Sequence, residues 1–162
     1  VSMKQSALVL WVTCVVFSLG AAVWAWTYPL TEVLVTPSHG AESIPGTEGA
    51  GFSAFVRFVF ATTVLGLGTA LWVFRSQRRG VWPMLWTTLV VALATWWFLF
   101  FGSYLVDVFH PLVEGKPAPG TVVEVATLVR PSVGLLAAPT IALCCYWISA
   151  NVMMAGHPGD AD

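Results

Sequence analysis

VWPMLWTTLVVALATWWFLFFGSYLV, residues 81–106, runs for 26 residues without a charged side chain. A helix needs roughly 20 apolar residues to cross a hydrocarbon layer about 30 Å thick, so this run spans with length to spare. It starts just after Arg75, Arg78 and Arg79 and stops at Asp107. Trp82 and Trp86 near one end and Tyr104 near the other suit the headgroup zone, where amphipathic rings settle.

Three further stretches read the same way: Gln5–Thr31, Phe52–Phe74 and Pro131–Gly156. The whole composition agrees with them. Of 162 residues, 57% are hydrophobic and 9% are charged, against about 25% charged in a soluble domain. Such a chain cannot coat itself for water, and lipid must supply much of its surroundings. The net charge of −1 offers no basic stripe for nucleic acid. The expected fold is therefore all-α, a single domain over 1–162. It is a four-helix transmembrane bundle with spans near 5–31, 52–74, 81–106 and 131–156.

Gln5–Thr31 is longer than the apolar core of a secretory signal, which is roughly 7–15 residues, and reads as a retained first helix. Pro29 helps to end it by removing a backbone donor. The turn Arg75-Ser-Gln-Arg78-Arg79-Gly80 carries three positive charges and no negative one. Positive loops stay cytoplasmic, so both termini are expected inside, with outer loops at 32–51 and 107–130. The first outer loop has two prolines, four glycines and three glutamates and reads as irregular. In the second, Thr121–Val129 fits either a surface helix or a short strand. Ser53 suits an N-cap, Pro131 suits a first helical position, and Pro139 falls inside the fourth span.

Arg57 lies about one turn inside the second span, among Phe55, Phe58 and Phe60. Near a helix end its side chain can snorkel to the interface; Glu48, Asp107 and Glu124 are candidate ion-pair partners. Lipid gives helices no hydrophobic drive toward one another, so small residues decide which faces meet. Thr62, Gly66 and Ala70 in the second span, and Gly134, Ala138 and Ala142 in the fourth, are spaced by four. They form either an internal seam or a partner's contact face. The aromatic run Trp96, Trp97, Phe100 and Phe101 offers a face for lipid, an apolar ligand or a partner helix. A further pattern, P-L-x-E-x4-P, occurs at Pro29–Pro37 and again at Pro111–Pro119, an offset of 82 at which Gly20 also meets Gly102. It suggests a duplicated hairpin related by an axis along the membrane normal.

Chemistry is sparse. Imidazole and carboxylate can ligate zinc or copper, which makes His39, His110, Glu32 and Glu114 the candidate metal ligands, although their spacing matches no ligand motif. Cys14, Cys144 and Cys145 all fall in apolar runs and read as small packing residues. Titratable groups are missing from the central turns of every span, so neither bis-histidine haem ligation nor a proton relay is expected within the chain. No catalytic residue and no resident cofactor is expected, though bound lipid is. The layout, with a first span ending Trp-Ala-Trp and a last one opening with Arg130, Pro131, Gly134, Leu135, Leu136, Ala137, Ala138 and Pro139, resembles uncharacterised small four-helix membrane proteins of mycobacteria and related actinobacteria. That resemblance implies an actinobacterial plasma membrane. Three functions follow as expectations. The first is a non-catalytic accessory subunit of a larger plasma-membrane complex, respiratory or oxidative in class. The second is a binding or transport component for lipid or another apolar molecule. The third is a metal-dependent membrane enzyme subunit using the outer histidines and acids.

Overall fold

In a computed structural model of the chain, the four apolar stretches are four long helices. The structure describes residues 3–36, 41–44, 46, 49–76, 80–111, 118–127, 129–130 and 133–155. The elements are α1 (Met3–Trp26), β1 (Thr31–Val35), β2 (Ala41–Ser43), α2 (Ala50–Ser76), α3 (Val81–Phe109), β3 (Val122–Val125) and α4 (Gly134–Ala155). Each helix has at least 20 residues of apolar character, enough to cross a membrane. The chain is thus a multi-pass membrane protein by helix length and composition.

Helix ends follow local chemistry. α1 stops at Trp26, earlier than residue 31, because Pro29 biases the residue before it away from helical backbone. α3 runs past Asp107 to Phe109, since a single carboxylate does not break a helix. α4 begins at Gly134, and Pro131 lies outside the described residues. Pro139 sits inside α4, where it leaves the carbonyl four residues earlier without its usual donor.

A three-stranded antiparallel sheet, ordered β2-β1-β3, closes one end of the bundle. The irregular reading of 32–51 needs correcting there: β1 and β2 form a hairpin with Val33 opposite Ser43 and Val35 opposite Ala41. The open choice at Thr121–Val129 resolves as the strand β3, which pairs Thr31 with Val125 and Val33 with Val123. Alternation explains the sheet's position. Thr31, Val33 and Val35 turn toward the bundle and are buried or half-buried, while Glu32 and Leu34 are exposed. Gly120, at φ +89°, makes the sharp turn before β3 and donates its N–H to the carbonyl of Val35.

Like packs on like between the helices. α1 makes its most extensive contact with α3, and α2 with α4, each a pair running in the same direction. Gly20 on α1 lets Phe98 approach, and Gly102 on α3 lets Trp24 approach; a Cβ at either would come within 3.2 Å or less of the facing ring. The 82-residue offset carries α1 onto α3, β2 onto β3 and α2 onto α4. It also superimposes Val9 on Val91 and Thr13 on Thr95, all four buried, and Glu42 on Glu124. The counterpart of β1, residues 113–117, lies outside the described residues. The contacts depart from a two-fold axis along the membrane normal. Helices packed about 8–10 Å apart leave room for one like pair at such an axis, and here both like pairs pack closely. Two hairpins standing side by side give this pattern.

The interior has two parts. Toward the sheet, Phe17, Trp24, Tyr28, Phe58 and Phe98 interlock with Ala21, Ala94 and Ala138. Toward the α2–α3 turn, Val9, Val73, Phe74, Val90 and Tyr146 pack together, with Phe74 edge-on to Tyr146 at 5.2 Å. Buried Thr62, Thr69, Thr87 and Thr95 each donate their hydroxyl to the carbonyl one turn back, at 2.7–2.9 Å. This satisfies polar atoms that hydrocarbon cannot.

Candidate functional site

Trp24 is the side chain around which the sheet end of the bundle is built. Its indole N–H donates to the carbonyl of Ala54 at 3.2 Å, tying α1 to α2. Its ring meets Tyr28 edge-on at 4.9 Å and lies 5.9 Å from Phe98. Tyr28 in turn donates its hydroxyl to the carbonyl of Thr127, and the Thr31 and Thr127 hydroxyls stand 3.1 Å apart. These bonds moor the sheet to the helices. Burial pushes the Tyr28 phenol above its ordinary value of 10.0, with the backbone at Val129 acting in the opposite direction.

Arg57 takes a partner that the sequence did not suggest. Its guanidinium donates to the carbonyl of Thr27 at 2.7 Å. Carbonyls at a helix C-terminus lack intrahelical donors and carry the negative end of the helix dipole, so the cation completes the end of α1. Glu48 lies outside the described residues, and Asp107 and Glu124 do not take up Arg57.

The two small-residue stripes meet each other. Thr62, Ala70, Ala138 and Ala142 are all 1% exposed or less. A Cβ on Gly66 would lie 3.3 Å from the carbonyl oxygen of Ala138, and one on Gly134 would lie 2.7 Å from the ring of Phe55. The stripes are therefore the α2–α4 seam within the chain.

Of the four candidate metal ligands, the structure describes Glu32 and His110. His39 and Glu114 lie outside the described residues. Glu32 points outward from β1, directly opposite Glu124 of β3. His110 ends α3, its N–H bonded to the carbonyl of Val106 at 2.8 Å. It lines a cavity of about 270 Å³ with Leu30, Pro111 and Glu124. Its Nε2 is buried there without a hydrogen-bond partner. Among the described residues no group of three metal-ligating side chains converges.

The aromatic run of α3 splits into two ladders. Trp96 and Phe100 stack at 5.7 Å and 8° between planes on one flank; Trp97 and Phe101 stack at 5.6 Å and 6° on the other. Phe98 and Leu99 between them enter the core. Each ladder floors a groove. The Trp97 groove, about 610 Å³, lies between α1 and α3 and includes Trp11, Cys14, Ser18 and Leu19. Within it the Trp97 N–H donates to the Ser18 hydroxyl at 2.9 Å. The Trp96 groove, about 410 Å³, runs up α3 through Leu99, Phe100, Ser103 and Tyr104 to Asp107, with Val129 beside it. Sequence reasoning found the rings and missed the polar mouth of this groove. Its signal was available, because 96, 100, 103, 104 and 107 share one helix face.

Comparison with known protein families, curated proteins and solved structures gives no match.

Proposed function

We propose that this protein is a non-catalytic accessory subunit of a larger plasma-membrane assembly, oriented with the sheet outside and both chain ends in the cytoplasm. The observation that carries this reading is how the chain uses its contact surfaces. The close-packing stripes of α2 and α4 are consumed within the bundle, while Trp11, Leu19 and Trp97 stay 37–66% exposed along the α1–α3 groove. Stacked aromatic rings at fixed geometry give a partner helix broad van der Waals contact at low ordering cost, which is what association inside lipid requires. The basic turn after α2 supports the orientation.

Purification of the tagged full-length chain from native membranes in a mild detergent tests this. A stoichiometric membrane partner is expected, and the substitution Leu19→Trp, which fills the groove from its exposed wall, should release it. A wild-type chain that purifies as a lone monomer would overturn the reading. A second reading, a binding component for an apolar molecule, is favoured by the other groove of α3.

A further inference from the structure

We infer that the Trp96 groove is a binding site for a membrane phospholipid with a primary ammonium headgroup, of the phosphatidylethanolamine type. This goes beyond the accessory role and does not depend on it: no residue lines both grooves, although Phe100 of this one lies 6.1 Å from Trp97 of the other. Its lower part is apolar: Trp96 and Phe100 stack face to face, with Leu99 beside them. From Trp96 to Asp107 the helix rises about 16 Å, so an acyl chain lying on the rings reaches the polar mouth without leaving α3.

That mouth is what sets this groove apart from an ordinary lipid-facing surface. Ser103, Tyr104 and Asp107 lie three and four residues apart on one helix face and line the same groove. None of the three takes a hydrogen bond or ion pair among the described residues. Ser103 differs in this from Thr62, Thr87 and Thr95, which bond back to their own helix. Three oxygen acceptors, one of them a carboxylate, match the three N–H donors of an alkylammonium group. Arg130 follows the groove-lining Val129 directly and is exposed, without itself lining the groove. The ammonium of a phosphoethanolamine meets the Asp107 carboxylate. An anionic glycerol headgroup meets the carboxylate with like charge, and a trimethylated ammonium brings no donor.

The experiment uses the full chain in detergent and native mass spectrometry with phosphatidylethanolamine, phosphatidylcholine and phosphatidylglycerol of identical acyl chains. The expected order of retention is ethanolamine, then choline, then glycerol. A charge-assisted hydrogen bond commands about tenfold or more in binding. Asp107→Asn should therefore cut the preference for ethanolamine over glycerol by about that factor, and Asp107→Glu should restore part of it. Asp107 is exposed near the end of α3, so folding is not at stake; unchanged thermal unfolding verifies this. A photoreactive benzoylphenylalanine in place of Phe100, activated in native membranes, should give an adduct of ethanolamine-lipid mass. Equal retention of all three lipids, an unaltered preference in Asp107→Asn, or a protein adduct at position 100 would each overturn the assignment.

Discussion

Adding a single methyl group to Gly102 tests the like-on-like packing of α1 against α3. A Cβ there would lie 2.9 Å from Cε3 and 3.0 Å from Cζ3 of Trp24. Ordinary contact begins at 3.4 Å, so the overlap is 0.5 Å at the nearest atom. Trp24 has little freedom to yield. It is 4% exposed, bonded through its indole to Ala54, and packed against Tyr28 and Phe98. Overpacking of this kind costs about 1–3 kcal/mol, while replacing glycine by alanine inside a helix returns about 1 kcal/mol. Gly68→Ala on α2 is the matched control, since nothing lies within 4 Å of a Cβ there. It receives the helix gain without the clash. The two variants should therefore differ by about 1–3 kcal/mol, Gly102→Ala being the weaker. Reversible unfolding in mixed micelles, with denaturing detergent as the titrant, reads the difference. Equal stability of the two would refute the close approach of Trp24 to α3.

Other substitutions probe the remaining joints. Arg57→Gln removes a charge-assisted bond to the end of α1 and should cost about 1 kcal/mol in the same assay, a cost that salt reduces. Tyr28→Phe leaves the Thr127 carbonyl without its donor and should cost about 1 kcal/mol, with amide exchange rising first in β3. The raised Tyr28 pKa has a definite sign. Its contribution to stability is complete below the ordinary value of 10.0 and is lost as pH rises toward the higher folded value, so tyrosine absorbance should titrate later in the folded chain than in the unfolded one.

How much of this was legible depended on whether the determining signal was local. The uncharged run from Val81 announces α3 without reference to any other residue, and the other three helices likewise. The residues of the α2–α4 seam were visible as Gly66 and Ala138 stripes, but their mutual contact was not, because spacing by four says that a face is small and not what faces it. The sheet was hidden for a different reason. Thr31–Val35 alternates properly, yet it is five residues long and sits among glycines, prolines and glutamates. Its β3 partner lies some ninety residues away, beyond any local periodicity. Arg57 is legible as an anomaly that snorkels to the interface or meets a carboxylate, whereas a carbonyl at a helix end answers it. Such acceptors have no sequence signature. Asp107 reads in the sequence as the limit of an apolar run and a candidate partner for Arg57; that it shares a groove with Trp96 shows only once α3 is seen to continue past it.

Four crossings with the sheet on the outer side are the basis for everything proposed about this chain, and site-directed thiol labelling measures them directly. In a background with Cys14, Cys144 and Cys145 replaced by alanine, Leu34→Cys on the exposed face of β1 and Ser76→Cys at the end of α2 are treated with a membrane-impermeant maleimide on intact cells. Labelling of Leu34→Cys from outside, with Ser76→Cys reached only after permeabilisation, is the predicted result. Labelling of both from one side, or of Ser76→Cys alone, would contradict it.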